Sequence, residues 1–300
     1  MNFKPWLTTA RPKTLPLSLA FILTGSILGY YKSHHFNILI FIFSILTTIL
    51  LQILSNFAND YGDFKKQSDT QARLGPKRGI QNGTITHTQL KKAIILISIL
   101  SLISGCILLY ISQLNLKAYI SFGIIGLASI IAAITYTIGK KPYGYMALGD
   151  LSVFIFFGLV AVCGSSYLQF QYLNLGTLII GIASGLLGIS VLNINNLRDV
   201  DQDKGVNKNT IVVYLGKTFA KYYYTLLIIT AFILYFIFYL IYIQKLTGLL
   251  FIIAIPEAIK LIRKVWVYKD PKELNPVLGK TASMILFLNI LFSIGLILNI

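Results

Sequence analysis

Acidic residues are scarce in this chain. Only ten Asp and Glu stand among 300 residues, and charged residues of both signs make up 12%. A soluble domain carries about twice that share of charge. Hydrophobic residues make up 56% of the chain, and they come in runs of about 20, the length that a helix needs to cross a bilayer. The shortage of charge excludes a soluble globular protein and predicts an all-α integral membrane protein.

Cysteine and histidine are also rare, with two and three copies. Cys106 and Cys163 lie far apart inside apolar runs, a pattern that gives neither a disulfide framework nor a thiolate metal site. His34, His35 and His87 lack the spacing of metal ligands. Any metal ion in this protein must therefore be held by oxygen atoms.

The apolar runs predict about nine transmembrane helices in one domain, residues 1–300. The predicted spans are roughly 14–31, 37–57, 93–112, 118–138, 147–167, 173–194, 222–243, 246–262 and 281–299. Long and short connections alternate, so the long ones lie on one side of the membrane. These long connections are 58–92, 139–146, 195–221 and 263–280.

The positive charge is sorted by side. Of the 26 basic residues, only Lys32, Lys117 and Lys245 fall in the short connections. The positive-inside rule then places the long connections and the N-terminus in the cytoplasm. The net charge of +16 is thereby explained without a nucleic-acid partner. We expect a multi-pass protein of the cell's inner or plasma membrane, in contact with lipid.

Six of the ten acidic residues lie in two short patches, each closing an apolar run. The first acidic patch is Asn56–Asp69 (NFANDYGDFKKQSD), and the second is Asn195–Asp203 (NNLRDVDQD). They follow predicted spans two and six, which favours a parallel four-helix repeat about an axis along the membrane normal. The predicted active-site loops are 58–92, 139–146 and 195–221.

The spacing within each patch places its oxygen-bearing side chains on one helical face. Asn56, Asp60 and Asp63 recur at intervals of four and three, and the second patch repeats every four residues. Such clusters suit Mg²⁺, which takes one or two carboxylates and leaves positions for phosphate oxygens and water. Helix capping is the plainer explanation, but capping uses one residue for each helix end. The predicted catalytic residues are Asp60, Asp63, Asp199 and Asp203.

Basic and aromatic residues near the patches predict the rest of the site. Arg78 lies among glycines and Lys141 precedes a proline, so both are candidates for holding a diphosphate. Asp150 begins an apolar run, where it either favours the helix dipole or faces a cavity. Tyr136 offers a ring face to a cation, although an interfacial role is the plainer explanation. The full predicted substrate-binding set is Asn56, Asn59, Arg78, Lys141, Asn195, Tyr136 and Asp150.

At the two patches the chain resembles the UbiA-type membrane prenyltransferases. That family carries Asn-x-x-x-Asp-x-x-x-Asp after its second helix and Asp-x-x-x-Asp after its sixth. Asn59 and Asp63 match the first motif, with its third position two residues late at Asp69, and Asp199 and Asp203 match the second. The resemblance implies that these five residues hold Mg²⁺, with the contact of Asp69 in question.

Four stretches resemble the branch of the family that acts in menaquinone synthesis. They are NDYGDFKKQSD at 59–69, ARPKTLPLSL at 10–19, GPKRGIQNG at 75–83 and LGDLSVFIFFGLVAVCG at 148–164. The resemblance implies transfer of a polyprenyl chain from polyprenyl diphosphate to 1,4-dihydroxy-2-naphthoate, with loss of carboxylate and diphosphate, to give demethylmenaquinone. Metal ions and basic groups would neutralise the departing diphosphate.

Other functions stay open at this point. A prenyltransferase for another acceptor, such as 4-hydroxybenzoate or a porphyrin-type ring, would carry the same acidic motifs. A transporter is a second class, since acids within membrane segments often mark ion paths, but here the acids cluster at helix ends. A structural membrane protein would not need paired acidic motifs. Mg²⁺-dependent release of diphosphate distinguishes the enzyme from both.

Overall fold

The computed structural model describes residues 4–66, 74–75 and 78–300. Its helices are α1 Lys4–Ala10, α2 Leu15–Ser33, α3 Ile38–Lys65, α4 His87–Ile111, α5 Leu116–Thr135, α6 Gly149–Phe170, α7 Leu175–Gly205, α8 Ile211–Ile243, α9 Ile255–Val267 and α10 Leu274–Ile297. Segment Leu246–Ala254, before α9, has 3₁₀ geometry, and Phe154–Gly164 within α6 has π-helical geometry.

The predicted all-helical, polytopic membrane architecture is confirmed. In the part of the chain that is described, seven helices are long and apolar enough to cross a membrane, or eight if α1 and α2 form one bent span. The prediction of about nine differs at 246–262. There the backbone changes from the 3₁₀ segment to α9, a helix of 13 residues with charge on its exposed side, so neither piece is a full span by itself.

Of the predicted active-site loops, 195–221 is largely helical and 58–92 is helical at both ends, which corrects the prediction. Helix α3 continues through the first acidic patch to Lys65, and α7 continues through the second to Gly205. The apolar runs end earlier than the helices because hydropathy records the membrane boundary, whereas the backbone stays helical as long as its residues permit. The region 139–146 does contain irregular backbone, with a 3₁₀ turn at Tyr143–Tyr145.

The second acidic patch and residues 56–65 of the first therefore lie at the C-terminal ends of long helices, and we call this part of the molecule the acidic end of the bundle. The turn after α7 is short: α8 begins at Ile211, and Thr210 caps it by accepting from the amide of Val213. A Thr86–Gln89 capping box starts α4. The parallel repeat stays a prediction.

Small residues and a buried polar network hold the bundle together. In a membrane, helices associate through close packing and hydrogen bonds, since lipid is as apolar as a protein core. A β-carbon at Gly158 of α6 would lie 2.6 Å from the Cα of Gly185 in α7. On the other side of the bundle, Asn289 Oδ1 accepts hydrogen bonds from Thr24 at 2.5 Å and Tyr235 at 2.8 Å, which joins α10, α2 and α8.

Candidate active site

The first acidic patch is buried and neutralised by two arginines. Asp60 is fully buried, and its Oδ1 lies 2.5 Å from a guanidinium nitrogen of Arg11 and 2.5 Å from one of Arg78. Arg78 also reaches Oδ2 of Asp63 at 3.2 Å. A carboxylate inside a protein needs such partners, because the cost of removing it from water is large. The predicted role of Arg78 near the acids is therefore supported by its position, although it contacts carboxylates here.

Arg11 reaches Asp60 because the chain bends sharply between α1 and α2. Arg11 has a left-handed backbone, with φ of 54°. The side-chain amide of Asn56 donates to the backbone carbonyl of Ala10 at 2.9 Å, and the side-chain amide of Gln52 donates to the backbone carbonyl of Thr14 at 2.9 Å. Two polar side chains of α3 thus fix both sides of this N-terminal elbow, residues 10–14. Asn56, a predicted substrate-binding residue, is occupied with this contact.

The second acidic patch is neutralised from within its own helix. Arg198 forms a two-pronged pair with Asp199, with nitrogen–oxygen distances of 2.7 and 2.5 Å. The Nη2 atom that contacts Asp199 also donates to Oδ1 of Asn195 at 2.9 Å, and Nη1 of Arg198 donates to Oδ1 of Asn275 of α10 at 2.9 Å. Asn275 in turn donates to the carbonyl of Leu74 at 3.0 Å. The network connects α7 and α10 with the segment that follows the first patch.

Lys208 interacts with an acid of each patch, Asp203 and Asp63. Lys208 lies 3.4 Å from Oδ1 of Asp203, and it interacts electrostatically with Asp63 as well. Asp203 also interacts with the charges of Asp199 and Asp63. Lys208 therefore joins Asp203 to the surroundings of the first patch, and we call the region between the two patches the cleft.

The turn between α5 and α6 contacts the first patch and the turn that follows the second. The hydroxyl of Tyr145 donates to Oδ1 of Asp63 at 2.9 Å, and its carbonyl accepts from the amide of Asn209 at 3.2 Å. The ammonium groups of Lys66 and Lys208 lie 4.9 and 5.7 Å from the centre of its ring. Lys66, which sequence reasoning assigns to topology alone, is therefore part of the site.

Two further predicted residues lie beside this turn. The hydroxyl of Tyr136 lies against Gly149: a β-carbon on Gly149 would be only 2.8 Å from the hydroxyl oxygen. Burial raises the pKa of Tyr136, and the neighbouring Tyr143 and Asp150 raise it further, so its phenol stays protonated. Asp150 is buried at the start of α6 and interacts electrostatically with Tyr223 of α8.

Lys141 is a predicted residue that the structure does not bring into the cleft. Lys141 is exposed in the turn before Tyr143, and its role in binding stays a prediction. Asp69 lies outside the described residues. Asn59 lies on α3 with a buried side-chain oxygen.

Sequence reasoning missed five contributors: Arg11, Lys66, Tyr145, Arg198 and Lys208. A signal existed for some of them. Arg11 lies in the ARPKTLPLSL stretch, and Arg198 stands inside the second patch itself, directly before Asp199. Counting the four basic residues as topology charges hid their role; the pairing of Arg11 with Asp60, for example, crosses 49 residues of chain.

The donor atoms of the cleft fit a hard divalent cation. Buried oxygens of Asn59, Asp60 and Asp203 accept no hydrogen bond among the described residues. Carboxylate and amide oxygens are the ligands that Mg²⁺ prefers. In the described ranges, no three His, Cys, Asp or Glu side chains converge on one point as a finished metal site. The acids instead lie in two groups, one on α3 and one on α7.

A cavity of about 360 Å³ opens beside the first patch. Asn59 and Tyr136 line it near the acidic end, and Leu108 and Leu168 line it toward the other end of the bundle. Its wall is mostly apolar and comes from α3, α4, α5 and α6. The site therefore combines a charged cleft with an apolar chamber.

Comparison with known proteins supports this combination. Curated relatives include the 1,4-dihydroxy-2-naphthoate octaprenyltransferases of Haemophilus influenzae, 48% identical over 99% of this chain and 97% of the relative, and of Escherichia coli, 44% identical over 98% and 95%. Both alignments extend over nearly the whole of each chain.

Solved structures share the fold. An apo UbiA homolog from Aeropyrum pernix has a TM-score of 0.69 at 17% identity, over 96% of this chain and 98% of that chain. A UbiA homolog from Archaeoglobus fulgidus bound to DMAPP and Mg²⁺ has a TM-score of 0.65 at 16% identity, over 96% and 99%. The model of the UbiA prenyltransferase family matches residues 18–291. With its two neighbouring acidic patches and this match over most of its length, the chain belongs to the UbiA prenyltransferase family.

Proposed function

We propose that this protein transfers a polyprenyl chain from polyprenyl diphosphate to 1,4-dihydroxy-2-naphthoate. Carboxylate and diphosphate are lost and demethylmenaquinone is formed, a step of menaquinone synthesis. The acceptor follows from the near full-length identity to the two octaprenyltransferases named above, whose names also favour an octaprenyl donor. The observation that carries the reaction class is the pair of neighbouring acidic patches, together with an apolar chamber that Asn59 of the first patch lines.

Mg²⁺ is the cofactor that the cleft would hold. Asn59 and Asp63 from α3, with Asp199 and Asp203 from α7, supply the oxygen ligands; Asp69 is a further proposed ligand. When bound, Mg²⁺ neutralises the diphosphate as its bond to the prenyl carbon breaks.

The basic residues around the acids then hold the donor. Arg78 and Arg11 already lie at the first patch, so a diphosphate entering the cleft meets two guanidinium groups, whose forked donors suit phosphate oxygens. Lys141 is proposed to approach from the turn before α6. Because the chamber is apolar and begins at Asn59, the isoprenoid chain would lie there with its diphosphate toward the patches.

Neutral polar and aromatic groups would shape the acceptor side. Tyr136 stays protonated at neutral pH because burial raises its pKa, so it can donate a hydrogen bond and present its ring to the allylic cation without adding charge. Asp150 and Asn195 are proposed to line the same side. The protein excludes water from the cation by surrounding it with the lining of the chamber.

The test is turnover by purified protein in lipid nanodiscs. Octaprenyl diphosphate and 1,4-dihydroxy-2-naphthoate should give demethylmenaquinone by mass spectrometry, together with carbon dioxide and diphosphate. The product should be absent with EDTA and restored by Mg²⁺. If 4-hydroxybenzoate were prenylated faster than 1,4-dihydroxy-2-naphthoate, the proposed acceptor would be wrong.

The proposed location is the inner or plasma membrane, with the acidic end in the cytoplasm. In a background with both native cysteines replaced by Ser, cysteine at Gly75 should be protected from an impermeant maleimide in intact cells. Cysteine at Gln113, in the turn at the other end of the bundle, should react. Reaction at position 75 would reverse the orientation.

A further inference from the structure

We infer that Tyr145 is a positioning residue that sets the geometry between the two acidic patches. This inference rests on the proposed function for its ligand, a metal–diphosphate pair. The motifs of the sequence do not include Tyr145; its assignment comes from its contacts.

The side chain of Tyr145 acts on the first patch. Its hydroxyl donates to Oδ1 of Asp63 at 2.9 Å, while Arg78 holds Oδ2 of the same carboxylate at 3.2 Å. With one contact on each oxygen, the carboxylate cannot rotate without losing a hydrogen bond. Partners of this kind orient a metal-binding carboxylate, and their loss weakens metal binding.

The backbone of Tyr145 is tied to the second patch. Its backbone carbonyl accepts a hydrogen bond from the backbone amide of Asn209, and Met146 and Asn209 form an isolated parallel β-bridge. The same short turn carries Lys208, whose amide donates to the carbonyl of Asp203 at 2.9 Å. Tyr145 thus joins Asp63 of α3 to the turn that directly follows α7, the helix that carries Asp203.

The ring of Tyr145 has a separate effect. The ammonium groups of Lys66 and Lys208 lie 4.9 and 5.7 Å from its centre, within the range of cation–π attraction. Lys66 belongs to the first patch and Lys208 follows the second, so the ring contacts one cation from each side of the cleft. The hydroxyl therefore orients a metal ligand, and the ring holds cations that meet a diphosphate.

Two substitutions separate these effects. Tyr145→Phe removes the hydroxyl and keeps the ring, whereas Tyr145→Leu removes both. The readout is the rise in melting temperature that Mg²⁺ and inorganic pyrophosphate produce in the absence of acceptor, since a ligand stabilises the state that binds it. Steady-state kinetics with Mg²⁺ and donor varied separately provide the second readout.

We expect Tyr145→Phe to raise the half-saturating Mg²⁺ concentration by about 10–100-fold in both readouts. Its half-saturating pyrophosphate concentration at saturating Mg²⁺ should change far less. Tyr145→Leu should raise both. Tyr31→Phe is the matched control: it removes a hydroxyl that donates to a carbonyl at 3.1 Å and keeps a ring with a lysine 5.2 Å away, but at the opposite end of the bundle.

Unchanged Mg²⁺ dependence in Tyr145→Phe would overturn the inference, even if its melting temperature without ligand fell. Equal pyrophosphate dependence in Tyr145→Phe and Tyr145→Leu would overturn the role of the ring. Because the binding readout needs no acceptor, failure of the wild type to prenylate 1,4-dihydroxy-2-naphthoate would refute the proposed function and leave this test intact.

Discussion

The two acidic patches solve the same electrostatic problem over different lengths of chain. In the first patch, Arg11 binds Asp60, which is 49 residues away in the sequence, and Arg78 binds Asp63, which is 15 residues away. The second patch uses Arg198, the neighbour of Asp199, and Lys208 from the turn after α7. The second patch can thus assemble with its own helix, whereas the first is complete only when the N-terminal elbow and the segment after α3 have folded onto it.

The largest expected effect follows from removing the centre of the long-range cluster. Asp60→Asn leaves Arg11 and Arg78 beside a neutral amide. Breaking a buried ion pair costs about 3–5 kcal/mol of unfolding free energy. We expect the lower part of that range, because Arg78 retains Asp63 and Arg11 is partly exposed. Thermal unfolding in detergent measures the loss, and a melting temperature equal to wild type would show that Asp60 is not the anchor of the cluster.

The next effect compares the patches directly. Asp63→Asn, Asp199→Asn and Asp203→Asn each remove charge that stabilises the leaving diphosphate through the metal, and each should lower kcat by about 10²–10³-fold. Asp201→Asn is the control within the second patch, since its side chain is exposed and pairs with Lys217. Full activity of Asp199→Asn would refute the two-patch metal site.

Arg78→Gln should lower kcat/KM for the polyprenyl diphosphate by about 10–150-fold, the kinetic equivalent of a charge-assisted hydrogen bond of about 1.5–3 kcal/mol. Dependence on the acceptor should change much less. Lys141→Gln should have a smaller effect, since Lys141 is exposed. Lys264→Gln, on α9, serves as the control. An equal loss for donor and acceptor in Arg78→Gln would mean that the residue only maintains the fold.

The smallest expected effect is at the exposed pair of the second patch. Lys217 and Asp201 lie 2.8 Å apart but both are largely exposed. Such a pair contributes about 0–1 kcal/mol to stability and is screened by salt. Lys217→Gln should therefore leave the melting temperature within about a degree or two of wild type. A larger loss would contradict the distinction between buried and exposed pairs on which the preceding predictions depend.

The sequence predicts most of the fold because its main signal is hydropathy. Apolar runs locate the spans well, but they end where the membrane ends, while α3 and α7 continue as helices. Asp60, Asp63 and the acids of the second patch therefore belong to helices rather than to loops. The break at 246–262 has a separate cause, since composition does not report a change from 3₁₀ to α geometry.

The candidate site was predictable in its acids and only partly in its cations. Periodicity places Asp60 and Asp63 on one face of a helix, and the structure agrees. Spacing alone does not distinguish a cation that pairs with a buried acid from one that sets topology. For Arg11 and Lys66 the sequence alone indicates only topology charges, because folding brings their partners, Asp60 and Tyr145, near them across long stretches of chain.

The contact between Gly158 and Gly185 has a mechanical consequence. It is the point at which α6 and α7 cross, and a single methyl group there would collide with backbone atoms. Gly185 lies 14 residues before Asp199 on one continuous helix, a distance of roughly 21 Å at 1.5 Å per residue. Because α7 is one continuous helix, a change in the angle at which it crosses α6 at these glycines would displace Asp199 and Asp203.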